Sequence, residues 1–191
     1  RMKALPKILR PFSESQRSLP RAFLLTGHRG VGKTTFLLTQ ALRNKVLYLS
    51  ADNPLLSGRS LYDTVHGIFM SGFSGVIVDE VHFARDWSLH LKALFDDFPN
   101  HTIWASDSSS LTLRSGVADL SRRYLQISMP LLSFREYIKL KTGKDYPVFD
   151  PFEEVPLSST PELLSLFRDF RRHGTRPFFE KGHFSERMMG I

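Results

Sequence analysis

The sequence predicts an α/β fold: a three-layer sandwich around a mainly parallel, five-stranded sheet, with a small helical appendage toward the C-terminal end. Three observations predict it. Strand-like apolar runs alternate with helix-like segments, the order that builds parallel sheets through helical crossovers. A glycine-rich turn of the pattern G-x-x-x-x-G-K-[ST], Gly27-His28-Arg29-Gly30-Val31-Gly32-Lys33-Thr34, joins one such strand to the next helix. A third apolar run, Val76-Ile77-Val78, delivers the adjacent carboxylates Asp79 and Glu80 at its carboxyl end.

The elements follow in order. Residues 1–20 hold Pro6, Pro11 and Pro20 and read as a lead-in segment with a short helix around 6–10. Strands are expected over 21–26, 45–50, 75–78, 101–105 and 124–128, and helices over 34–43, 60–70, 87–95 and 111–120. Past Met129-Pro130 the pattern turns helical, over 133–141 and 161–172, around the Pro-rich and aromatic stretch 146–152. The expected division is a lead-in at 1–20, a core at 21–141 and an incomplete helical appendage at 142–191. No internal repeat or heptad pattern is evident.

Composition bounds the function. A chain of 191 residues suits one well-cored domain with a small addition. No run approaches the roughly 18–20 apolar residues a spanning helix needs, so a soluble, cytoplasmic protein with no membrane contact is expected. Zero cysteines exclude disulfides and thiolate metal sites. The net charge of +7 allows contact with a polyanion, although the basic residues, denser at Arg168, Arg171, Arg172 and Arg176, read first as a solvated helix face and only second as a dedicated binding patch. His82 and His90 are the histidines nearest the acidic pair, and their spacing fits no standard zinc pattern.

The glycine-rich turn is a P-loop in the context it requires. Glycines let the backbone turn tightly and aim N–H groups inward at the positive end of the following helix, making an anion nest. Residues 27–35, Gly27 to Thr35, therefore form the candidate nucleotide-binding segment. Lys33 is expected to reach the β and γ phosphates and the Thr34 hydroxyl to ligate Mg²⁺. His28 and Arg29 fill variable positions and gain no catalytic role.

Asp79 and Glu80 give the loop a second half. A carboxylate at Asp79 would hold Mg²⁺, and Glu80 would orient or deprotonate an attacking water, because phosphoryl transfer asks mainly for positioning and electrostatics. The next apolar strand ends in Ser106-Asp107-Ser108-Ser109-Ser110. Ser108 is the first candidate, and Ser106 the second, for a hydroxyl that touches the γ-phosphate or the water; a serine-rich helix cap is the alternative.

These residues resemble the AAA+ superfamily, and within it an archaeal and bacterial ATPase group whose P-loop domain usually precedes a further C-terminal region. The run Asp79-Glu80-Val81-His82-Phe83-Ala84-Arg85-Asp86-Trp87 is similar to the group's Asp-Glu-Ile-Gln followed by Trp, with His82 for Gln. Ser106 to Leu111 resembles Thr-Gly-Ser-Ser-Ser-Leu, with Asp107 for Gly, and Arg123-Tyr124-Leu125 through Glu136 resembles a Gly-Arg-Tyr and Pro-Leu-Ser-Phe-Arg-Glu segment, with Arg122 for Gly. The resemblance covers about residues 23–137, with an echo at 167–177; the group's C-terminal region has no counterpart, as in an excised ATPase domain.

The resemblance implies ATP and Mg²⁺ as cofactors, Arg123 (or its neighbour Arg122) as an arginine finger serving a neighbouring subunit, and the P-loop strand central in the sheet; an ordinary surface or sheet-edge ion pair is the equal alternative for Arg123. It leaves room for a homo-oligomer and for a DNA or protein partner. The expected function is Mg-dependent ATP hydrolysis at low turnover, coupling nucleotide state to conformation, with Glu80, Ser108 and Arg123 catalytic and Thr34 and Asp79 on the metal. The alternative is a slow or non-hydrolysing ATP-dependent switch. A small-molecule kinase is a weaker rival, since Glu80 adjoins Asp79 and no Arg-rich lid is evident. Asp52 fits an acidic position of the group without a role, and Trp87 reads as a packing anchor.

Overall fold

The computed structural model describes residues 5, 6, 8–16, 18–108, 120–147, 152 and 161–177. In chain order its elements are α1 (Pro11–Ser15), β1 (Ala22–Thr26), α2 (Lys33–Asn44), β2 (Leu47–Ser50), α3 (Leu61–Met70), β3 (Gly75–Asp79), α4 (Trp87–Asp97), β4 (Thr102–Asp107), β5 (Leu125–Ser128), α5 (Phe134–Thr142) and α6 (Pro161–His173). Two compact units emerge, Arg1–Leu5 with Gln16–Pro130 and Pro6–Ser15 with Leu131–Ile191.

The first unit is the α/β sandwich. Its strands run parallel in the order β2-β3-β4-β1-β5. The P-loop strand β1 is therefore interior, between β4 and β5, as expected. Every residue of β1 and β3 is buried, the mark of strands covered on both faces, whereas the edge strands β2 and β5 stay partly exposed. Because the strands are parallel and in register, with Thr26 beside Asp107 and Ser50 beside Asp79, their carboxyl ends finish together. Ligands of such sheets bind there.

Helix burial follows spacing. The apolar positions Leu61, Val65 and Phe69 of α3 and Trp87, Leu91 and Leu94 of α4 recur every three or four residues and pack into one core with Leu24, Val76, Val78 and Ile103. Trp87 is thus a packing anchor. Ser60 caps α3 by accepting from the Asp63 amide at 3.2 Å. Ile77 is fully buried, and its truncation to alanine carries the usual cost of about 2–5 kcal/mol for a large aliphatic in a core.

The second unit contains α1, α5 and α6. Ser133 and Glu136 form a reciprocal capping box at the start of α5, and Gly143 closes its end in the left-handed region. Phe134, Tyr137, Phe167 and Phe170 join α5 to α6 through ring contacts. One expectation is corrected here: the short N-terminal helix spans Pro11–Ser15, not 6–10. Proline favours the first helical turn, and it disfavours helical geometry in the residue before it, here Arg10. The helix expected over 111–120, apart from Leu120, lies outside the described residues.

Candidate functional site

The loop from Thr26 to Lys33 turns where only glycine is comfortable. A Cβ on Gly27, at φ +150°, would stand 2.5 Å from the Met129 carbonyl oxygen. Gly32 enters α2 at φ 106°, so the helix N-terminus meets the carboxyl end of β1 abruptly. Val31 anchors the loop in the core, while His28 and Arg29 are exposed.

Lys33 lies under this turn, and its Nζ donates to the carbonyls of Gly27 at 2.8 Å and His28 at 3.1 Å. Burial pulls its ammonium below the usual value, while the nearby carboxylates of Glu80, Asp79 and Asp107 pull it back up. A cation is thereby held among acidic groups at the mouth of an anion nest.

Asp79 ends β3 and is 1% exposed. Its Oδ2 accepts from Thr34 Oγ1 at 2.7 Å and from Tyr48 Oη at 2.7 Å, and its Oδ1 accepts from Ser106 Oγ. Thr34 Oγ1 and Asp79 Oδ2 are hard oxygen donors at the end of the P-loop. That donor set fits Mg²⁺, which takes one or two protein oxygens and fills its shell with water and phosphate.

Glu80 departs from the strand in the left-handed region, at φ 54° and ψ 51°, a conformation that costs a non-glycine residue roughly 1–3 kcal/mol and often marks functional sites. Its amide donates to Ser106 Oγ at 3.3 Å, and its Oε2 accepts from Ser108 Oγ at 2.6 Å. Ser108 and Ser106 thus meet different carboxylates, Glu80 and Asp79. His82 Nδ1 lies 2.9 Å from Asp107 Oδ1 and 3.5 Å from Glu80 Oε2. Ligand atoms of Glu80, His82 and Asp107 all fall within 4.8 Å of one another; His90 is not in that group.

Arg123 stands elsewhere. It precedes β5, at the amino end of the sheet, and makes a bidentate ion pair with Asp96 of α4 at 2.9 and 2.8 Å. Since β5 rises about 3.3 Å per residue, the guanidinium starts a full strand length from the carboxyl-end site of its own chain. Arg122 is exposed beside it. Asp52, past β2, accepts from Ser50 and joins none of these contacts.

Two participants were not legible beforehand. Tyr48 reaches Asp79 from the neighbouring strand, and its only signal was a polar aromatic in the otherwise aliphatic Leu47-Tyr48-Leu49 run. The meeting of His82 with Asp107 depends on strand order. Among the described residues no helix is long and apolar enough to cross a membrane.

A P-loop on an interior strand, an Asp-Glu pair at the end of β3 and the order β2-β3-β4-β1-β5 define a P-loop ATPase fold of the AAA+ class. The chain belongs to the AAA domain family, whose model matches residues 19–138. It is 36% identical over 151 residues to an uncharacterized protein of Methanocaldococcus jannaschii, a match that covers 71% of this chain and 31% of that relative's length. Among solved structures, PCH-2 of C. elegans shares the fold with a TM-score of 0.51 at 19% identity, over 85% of this chain and 54% of that one. The RuvB Holliday junction branch migration motor of Thermotoga maritima matches with a TM-score of 0.47 at 19% identity, over 69% of this chain and 45% of that one.

Proposed function

We propose that this domain binds ATP with Mg²⁺ and hydrolyses it slowly, using the cycle to change conformation. The observation that carries the reading is the convergence of Lys33, the Thr34–Asp79 pair and Glu80 at one end of the sheet. Lys33 would exchange its loop carbonyls for β and γ phosphate oxygens, for which the P-loop amides supply the remaining donors. Glu80 would take a proton from the attacking water, with Ser108 holding the carboxylate in place. Bound Mg²⁺ would supply charge neutralisation at the phosphates; Thr34 and Asp79 are the residues to hold it.

The low turnover follows from Arg123. Its place at the amino end of β5 supports a role only toward a second subunit, so an isolated chain would lack that positive charge. A homo-oligomer would restore it. Arg168, Arg171 and Arg172, exposed on α6, are proposed to meet a partner, either DNA or protein, and DNA contact of this kind weakens steeply with salt as counterions are released.

Single-turnover and steady-state hydrolysis by the wild type and by Glu80→Gln, with ATP binding measured for both, tests the reading. Cleavage by the wild type and binding without cleavage by Glu80→Gln are expected. Equal binding with no cleavage by either would leave the non-hydrolysing switch as the function.

A further inference from the structure

We infer that His82 and Asp107 are a positioning pair that fixes the side chain of Glu80; the inference rests on the hydrolytic role proposed for Glu80. The left-handed turn at Glu80 reverses the chain at the end of β3, and the 3-10 turn Val81–Phe83 then carries His82 toward the end of β4. Val81, fully buried, pins that turn to the core. Asp107 is the last residue of β4, fully buried and set in ladder register with Thr26 of the P-loop strand. It is therefore an acid mounted on a strand at this end of the sheet.

His82 Nδ1 stands between the two carboxylates, 2.9 Å from Asp107 Oδ1 and 3.5 Å from Glu80 Oε2, at ion-pair distance from both without a well-aligned hydrogen bond to either. Two carboxylates this close repel one another in a partly buried site. An imidazole between them lets both face the same space. The Ser108 hydroxyl donates to Oε2 at 2.6 Å, so the hydroxyl and the imidazole both lie toward one oxygen of Glu80, and among the described residues none bonds Oε1. That is the oxygen the geometry presents for a water.

The test is a double-mutant cycle on ATP hydrolysis with His82→Ala, Asp107→Asn and their combination, alongside ATP affinity and the thermal midpoint of each. Loosening a catalytic group by about an ångström costs up to about a hundredfold, so kcat is expected to fall roughly tenfold to a hundredfold in either single variant. ATP affinity should stay within about twofold, and the double variant should be no slower than the slower single, since residues acting as a unit are not additive. His82→Gln, which can still reach both carboxylates, should recover most of kcat; it also carries the test if Asp107→Asn does not fold. Wild-type kcat in His82→Ala, or multiplicative losses in the double variant, would overturn the pairing while hydrolysis stands. A wild type that binds ATP and never cleaves it would overturn the hydrolytic reading itself, and this inference with it.

Discussion

Thr34 at the start of α2 and Asp79 at the end of β3 are joined by a 2.7 Å hydrogen bond although 45 residues separate them. The bond spans β4, because β1 and β3 are not neighbours in the sheet. It ties the P-loop helix to the acidic strand before any ligand arrives. Thr34→Ser keeps the hydroxyl and is expected to keep Mg²⁺-dependent nucleotide binding; Thr34→Val loses the proposed metal oxygen together with a donor to a buried carboxylate. Removing one hydrogen bond to a charged group costs about 1.5–3 kcal/mol, so the Mg²⁺ concentration for half-maximal ADP binding should rise at least tenfold in Thr34→Val. Titration of Mg²⁺ against a fluorescent ADP analogue would read it, and equal midpoints for Ser and Val would count against a metal role for this hydroxyl.

Tyr48 makes the parallel case from the other side of Asp79. Its hydroxyl donates to the same Oδ2 at 2.7 Å, so Tyr48→Phe removes a donor without changing packing volume. A buried acceptor left short of a partner costs about 1–3 kcal/mol, and for a chain of this length each 1 kcal/mol shifts the midpoint by about 2–4 °C. Thermal melts should therefore show a drop of several degrees without ligand. The drop should shrink with Mg·ADP present, since a ligand that neutralises the Asp79 charge replaces what the hydroxyl supplied. An identical drop in both conditions would make Tyr48 purely structural.

How much of this was readable beforehand depends on the range of the interactions involved. Strands β1 to β5 match the apolar runs to within two or three residues, because each run is bounded by glycine, proline or polar clusters that fix its ends locally. That Lys33, Thr34, Asp79 and Glu80 meet at one end of the sheet was legible for the same reason, since they lie in two contiguous motifs. Tyr48 and the meeting of His82 with Asp107 were not, because both arise only once β2 lies beside β3 and β4 lies between β3 and β1. The N-terminal helix starts five residues past its expected place because three prolines in a short segment offer several starts, and the helix begins at Pro11.

In the second unit, Arg10 and Glu136 form an ion pair at 2.8 Å with both side chains largely out of water. Burial alone would push the Glu136 carboxyl up, but hydrogen bonds from Arg10 and Ser133 and the Arg10 charge together bring it below its usual value. A carboxylate whose folded pKa is lowered adds stability above its unfolded pKa of about 4.3 and loses it as pH falls through the folded pKa. Breaking a buried pair by deleting one partner costs about 3–5 kcal/mol. Urea unfolding of the wild type and Arg10→Ala, followed by circular dichroism between pH 3 and 7, should show that full gap above about pH 5 and a narrowing gap toward pH 3. A gap that stayed constant with pH would place the loss in packing of the arginine stem.

If Arg123 serves a second subunit, as proposed, the site is incomplete in one chain. The ion pair of Arg123 with Asp96 is surface-exposed in part, and such pairs contribute little to stability, so Arg123→Ala should melt close to the wild type and bind ATP equally well. Hydrolysis should nonetheless fall, because a finger supplied in trans contributes as much as about 10³-fold or more to phosphoryl transfer. Mixing separates this from a general defect. Lys33→Ala retains Arg123 but has a disabled P-loop, and Arg123→Ala retains the P-loop but lacks the finger; each alone should be inactive, and the mixture should regain turnover through interfaces that combine one intact half from each. The regained rate should rise with total protein concentration, as subunit association requires. If the mixture stays inactive while each variant still binds its own subunits, Arg123 acts through Asp96 and α4 within one chain, and the site needs no second subunit.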